Sequence, residues 1–107
     1  MKLEWSETAT ECLVTIGHYL KENHGESSAT AFLKKVYATV GNLRDFPLSG
    51  RTLPDMGDSL LRELVAPPWR VIYELDALNA PSGILIVGVV HSAQLLENTP
   101  LWDMLNS

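Results

Sequence analysis

Along the first half of the chain apolar residues recur with a helical period, and along the second half with a strand-like one. Lys2-Leu3-Glu4-Trp5 alternates and predicts a short opening strand. Ser6 then stands as a natural N-cap, with Glu7 in the first turn, where negative charge is favoured. Ala9, Cys12, Leu13, Ile16 and Leu20 fall on one face of a helix that Asn23-His24-Gly25 ends. Ser27 or Ser28 is expected to cap a second helix whose stripe is Ala29, Phe32, Leu33, Val36, Val40 and Leu43. Phe46-Pro47 closes it, because the residue before a proline is pushed out of the helical region. Two amphipathic helices joined by a few polar residues form an antiparallel hairpin.

Residues 47–59, with two prolines and two glycines, read as a loop. Three strands follow, at about 60–65, 69–75 and 83–91. Pro67 and Pro68 cannot donate ladder hydrogen bonds and belong in the connection between the first two. Residues 76–83 form a longer hairpin loop. Ile84–Val90 does not alternate, which suits a central strand covered on both faces. Beyond His91 the chain is a tail with a short helix at 100–105, opened by Pro100. The order is β-α-α-β-β-β: an α+β fold in one domain, residues 1–107. Burying both helix stripes requires a small, mainly antiparallel sheet with the helical hairpin on one face. The other face of the sheet is expected to be only partly covered.

Charge narrows the functional classes. Eight basic residues stand against thirteen acidic ones, a net charge of −5, which argues against a protein that holds nucleic acid through its phosphates. One cysteine, Cys12, excludes an internal disulfide and fits a reducing compartment. A functional reading makes it a nucleophile, but its place in the apolar stripe favours a small buried hydrophobe. Lys2, Glu4 and Glu7 interrupt any apolar leader, and the Ile84–Val90 run is too short to span a bilayer. A cytoplasmic protein with no membrane partner is expected.

Three of the four arginines, Arg51, Arg62 and Arg70, fall within twenty positions. On the 69–75 strand Trp69, Val71, Tyr73 and Leu75 share the better core face, so Arg70 points toward the open side with Ile72 and Glu74. Arg62 shares a face with Leu60 and Leu64 on a strand without a clean apolar side. Were it to share the open face with Arg70, two guanidiniums would lie among aliphatic side chains. One reading is an anion or carboxylate site with bidentate geometry. The other is a pair of strand arginines bonded to Glu63 and Glu74 or simply solvated. Gly50-Arg51 presents a third arginine from a tight turn. His91 ends a buried strand, where a titratable ring can serve as acid or base. His18, His24 and His91 lack the spacing of helical metal ligands, and no phosphate loop or nucleophile elbow is present, so neither a metal nor a cofactor is expected.

Several short motifs, taken in order, carry a resemblance over nearly the whole chain. These are Trp5-Ser6-x-x-Ala9, Pro47-x-x-Gly50-Arg51, Arg62-Glu63-Leu64-Val65, Trp69-Arg70-Val71-Ile72-Tyr73 and an apolar strand ending in His91. The chain resembles the ParE branch of the RelE/ParE toxin superfamily of bacterial type II toxin–antitoxin systems. The resemblance implies a small cytoplasmic toxin in a hetero-oligomer with a cognate antitoxin, whose flexible C-terminal segment wraps over helices and sheet. ParE-type toxins act on DNA gyrase, whereas RelE-type relatives cut messenger RNA in the ribosome. In the RNase alternative Arg62, Arg70 and His91 would be catalytic, supplying parts of the base, acid and cationic clamp that attack by a 2′-hydroxyl needs. The rest of that set is missing. Gln94 stands where the family usually has an arginine, and the tail has no Tyr, Lys or Arg. The resemblance therefore favours a gyrase-binding inhibitor over an RNase, while Gln94 departs from the ParE-like pattern too, which leaves a weakened toxin or one with another target as a further alternative. Arg51, Arg62, Trp69, Arg70 and Trp102 are the expected partner contacts.

Overall fold

The computed structural model describes residues 1–53, 60–94 and 96–105, and for residues 96, 100, 102 and 104 the backbone alone. Strand β1 (Lys2–Trp5) leads into helices α1 (Glu7–His24) and α2 (Glu26–Gly41), followed by a 3-10 turn at Asn42–Arg44. Strands β2 (Arg51–Thr52), β3 (Leu61–Ala66), β4 (Trp69–Leu75) and β5 (Gly83–His91) come next, then a 3-10 turn at Leu96–Asn98 and helix α3 (Pro100–Leu105). The strands form one sheet in the order β1-β5-β4-β3-β2. Among the described strands only β1 runs parallel to its neighbour, β5; the other pairs are antiparallel. This is the expected α+β architecture with one strand added. β2 lies in the stretch read as loop, because two residues carry no period to detect.

Local chemistry sets the helix ends. Ser6 caps α1: its Oγ accepts the Ala9 N–H at 3.0 Å, while its own N–H donates to Ile86 O of β5. The cap thus joins the helix start to the sheet. Gly25, with φ of +92°, both ends α1 and begins α2. A left-handed φ at the junction favours glycine, and one residue suffices to turn the chain. Neither Ser27 nor Ser28 is the cap; Ser28 Oγ instead donates to His24 O at 3.1 Å.

The hairpin packs on one face of the sheet. Ala9, Leu13, Phe32, Val36 and Val40 meet Val71, Tyr73, Leu75, Ile84, Ile86 and Val89 in the main core. The expected inward set on β4 is therefore the one observed, and Cys12 is partly buried against this core.

The opposite face is a correction to the expectation of an open surface. A second apolar cluster of Leu53, Leu61, Ile72, Val87, Val90 and Leu101 covers it, with Leu85 and Leu105 at its edge. The chain's own tail supplies the lid. A bulge makes this possible: Ile72 pairs with Gly88 and Tyr73 with Ile86, so Val87 is skipped in the ladder. Val87 and Gly88 then both open onto the tail side, and the alternation of β5 resumes with Val89 inward and Val90 outward. The run without apparent alternation is thus an alternating strand with one extra residue, buried on both faces.

Candidate functional site

The sheet register separates the arginines. Arg51 pairs with Glu63, and Glu63 with Ile72, which puts Arg51, Glu63 and Arg70 on the tail-covered face. Arg62 pairs with Tyr73 and so lies on the helical face. Arg62 and Arg70 therefore do not share a face, and the arrangement of two guanidiniums on one open surface does not form.

On the tail side Glu63 is the centre. It is 1% exposed and bridges both neighbours: Arg51 Nε meets its Oε1, and Arg70 Nη1 donates to its Oε2 at 3.0 Å. A buried carboxylate requires such pairing, since an unpaired one costs several kcal/mol. Arg70 extends the network to the tail, donating from Nη2 to Gln94 O at 2.6 Å. Its side chain is 14% exposed, and its Nε has no hydrogen-bond partner among the described residues. Arg51 differs, with two thirds of its side chain in solvent. Of the two carboxylates named as counter-ions, Glu63 serves and Glu74 is exposed.

On the helical side Arg62 and Tyr73 hold the 47–50 loop. Tyr73 Oη accepts the Gly50 N–H and donates to Pro47 O, each at 2.9 Å. Arg62 Nη1 donates to Gly50 O at 2.8 Å and to Leu48 O at 3.2 Å. A Cβ on residue 50 would lie 2.5 Å from Tyr73 Oη and 2.7 Å from Glu63 O, so glycine is required by close approach. The Pro47-x-x-Gly50-Arg51 motif is the segment these two side chains clamp. Burial pushes the Tyr73 phenol up, while the Gly50 N–H and the Arg62 charge pull the other way.

Trp69 stands on the helical face, edge-on to Phe32 at 5.0 Å and to His91 at 5.3 Å between ring centroids. His91 is exposed at the strand end, and its Nδ1 accepts the Ala93 N–H at 3.0 Å. Arg62 aligns with Tyr73 and His91 with Trp69, four positions earlier in β4, about 13 Å at strand rise. Arg62, Arg70 and His91 are thus not gathered around one point. The side chain of Trp102 lies outside the described residues. Among the described residues no cluster of three His, Cys, Asp or Glu side chains could hold a metal ion, and no helix is long and apolar enough to cross a membrane.

The pattern of the ParE toxin of the type II toxin–antitoxin system parDE matches residues 3–96. Among solved structures, a chain of the chromosomal ParDE TA system from P. aeruginosa superposes with a TM-score of 0.69 at 18% identity, covering 85% of this chain and 95% of that one. The YoeB/ParE toxin from Agrobacterium tumefaciens does so with a TM-score of 0.58 at 11% identity, covering 85% of this chain and 98% of that one. At these identities the likeness shows the fold. No curated protein sequence is a significant match. With its pattern spanning all five strands and both long helices, the chain belongs to the ParE toxin family of type II toxin–antitoxin systems.

Proposed function

We propose that the chain is a toxin neutralised by a cognate antitoxin, and that it acts by binding DNA gyrase and cuts no RNA. The observation that carries the choice is the dispersal of the cationic side chains. Cleavage by a 2′-hydroxyl needs base, acid and cationic clamp around a single phosphate. Here Arg70 is engaged by Glu63 and Gln94 O, Arg62 holds a loop on the opposite face, and His91 stands apart from Arg62. A net charge of −5 adds a general penalty against holding RNA. Gyrase as the target is supported by the resemblance of the residue pattern to the ParE branch.

In this reading the two well-held arginines shape the surface and Arg51 meets a partner directly, its guanidinium largely solvent-exposed. Trp69, beside the exposed His91, is a second contact of a type that anchors interfaces. Val65, Phe46 and Leu48 are further exposed apolar side chains. The toxin and antitoxin form a cytoplasmic hetero-oligomer.

A supercoiling assay with purified toxin and gyrase, run beside mapping of transcripts after induction, tests the proposal. Lost supercoiling with intact transcripts is expected. Codon-registered cuts with normal supercoiling would favour the RNase and reject it.

A further inference from the structure

Among the described residues, helix α1 and the C-terminal tail do not close on each other. Between them, over the Trp69 end of the sheet, lies a cleft of ≈ 320 Å³, near the lower end of the roughly 300–1,000 Å³ usual for ligand pockets. Its surface is mainly apolar, formed by Cys12, Ile16, Trp69, Val89, Val90 and Leu101. Glu11 and Thr15 line it from α1, and Gln94 and Thr99 from the tail.

Three features distinguish it from an incidental gap. Its tail wall is anchored at the described positions: Arg70 grips Gln94 O, Leu101 is 2% exposed, and Thr99 is buried. A preformed cleft receives a side chain without first ordering its own walls. Part of that wall, Thr99 and Leu101, lies beyond residue 96, where the family pattern ends. The cleft is therefore built from the shared fold on one side and this chain's own tail on the other. The third feature is charge. The described lining residues include one carboxylate, Glu11, one histidine, His91, and no lysine or arginine. Glu7, next in sequence to the lining residue Thr8, is exposed on the same helix.

We infer that this cleft receives a large apolar side chain of the antitoxin, flanked by lysine or arginine, and thereby sets which antitoxin the toxin accepts. The inference rests on the antitoxin reading given under Proposed function. An apolar slot with a carboxylate, Glu11, on its helical wall selects an apolar anchor with a cationic neighbour on that side, because like charge there costs affinity. A second copy of this chain is the poorer occupant. Each copy carries a net charge of −5, so a symmetric contact through this face would bring two net-negative chains and both Glu11 carboxylates together.

The test uses the full toxin and the antitoxin encoded beside it, with affinity measured by titration calorimetry. Thr15 is exposed on α1, so Thr15→Trp fills the cleft from its helical wall. It should weaken binding about 30-fold or more, the size expected on losing an anchoring contact. Val14→Trp, at a position 66% exposed and not lining the cleft, should leave affinity unchanged. Glu11→Lys should weaken binding about 5–10-fold at low salt, and the gap should shrink near 0.5 M salt as charges are screened. Circular dichroism melts establish that each variant folds, and Glu11→Lys carries the test should Thr15→Trp fail to fold. Wild-type affinity in Thr15→Trp, or equal losses in Thr15→Trp and Val14→Trp, overturns the inference. So does self-association abolished by Thr15→Trp, which would make a second copy the occupant. Loss of gyrase inhibition with antitoxin affinity intact would assign the cleft to the target instead. Failure of wild-type toxin to bind the antitoxin at all rejects the parent reading, and the inference with it.

Discussion

Leu101 occupies the space that a side chain at residue 88 would need. A Cβ on Gly88 would stand 2.2 Å from Leu101 Cδ1 and 2.8 Å from Cδ2, distances that packed carbons do not reach. The glycine lies where β5 bulges opposite Ile72, so a strand irregularity and a tail residue form one fitted pair. This contact seals the face of the sheet that the strand pattern leaves open.

Gly88→Ala should therefore destabilise the protein by about 1–3 kcal/mol through overpacking. Leu101→Ala should cost about 2–5 kcal/mol by opening a cavity in the second cluster. Together they should cost at least about 1 kcal/mol less than the sum, since the added methyl enters the space the leucine vacates. Urea unfolding of the three variants measures this coupling. Strict additivity would mean that the two residues do not meet.

Glu63 should be worth more than either arginine's exposure suggests. Glu63→Ala leaves Arg70 largely buried without its counter-ion, a change costing about 3–5 kcal/mol. Arg51→Ala should cost no more than about 1 kcal/mol, because that side chain is 67% exposed and Glu63 keeps Arg70. The double substitution Glu63→Leu with Arg70→Met should recover much of the first loss, as both charges leave together. Equal costs for Glu63→Ala and Arg51→Ala in urea unfolding would contradict this ranking.

The parts of the fold that repeat could be read from residue order. The stripes through Leu13 and Val36, and the alternation of Val71, Tyr73 and Leu75, state which sides face inward. Pro67 and Pro68 mark the β3–β4 turn for the same kind of local reason. What escaped depends on contacts between distant positions. The face of Arg62 is set by its register with Tyr73, not by its strand neighbours, because Leu61 and Leu64 pack on opposite sides. The bulge at Val87 looks like an unbroken apolar run, since both faces are buried. The tail lid is invisible until Gly88 and Leu101 are brought together. At the site, Glu63 shows a weak signal, a carboxylate between apolar Leu61 and Leu64, but its role as a shared counter-ion appears only when Arg51 is placed beside it by β2.

Ser6 fastens α1 to the sheet as well as capping it, so its oxygen matters more than its size. Ser6→Ala removes the acceptor for the Ala9 N–H and should cost about 1 kcal/mol. Ser6→Asp keeps an acceptor beside the helix N-terminus and should stay within about 0.5 kcal/mol of wild type. Thermal unfolding of both variants checks this. A loss in Ser6→Asp as large as that in Ser6→Ala would point to the contact with Val87 O, to which Ser6 Oγ donates at 3.4 Å, as the one that matters.

Tyr73 gives the fold an alkaline limit. Its buried phenol is pushed above its ordinary value of 10.0, so the native state holds the proton more tightly than the unfolded chain. That contribution is fully present below about pH 10 and is lost as pH rises through the native value. Tyr73→Phe removes the hydroxyl and leaves the Gly50 N–H and Pro47 carbonyl without this partner, at a cost of about 1–3 kcal/mol at neutral pH. The wild-type advantage should then narrow above about pH 10, because the phenylalanine variant has no proton to lose at this site. Urea unfolding of both proteins at neutral, mildly alkaline and strongly alkaline pH measures the gap. A gap that stays constant across that range would show that the hydroxyl's hydrogen bonds stabilise the 47–50 loop without coupling to its ionisation.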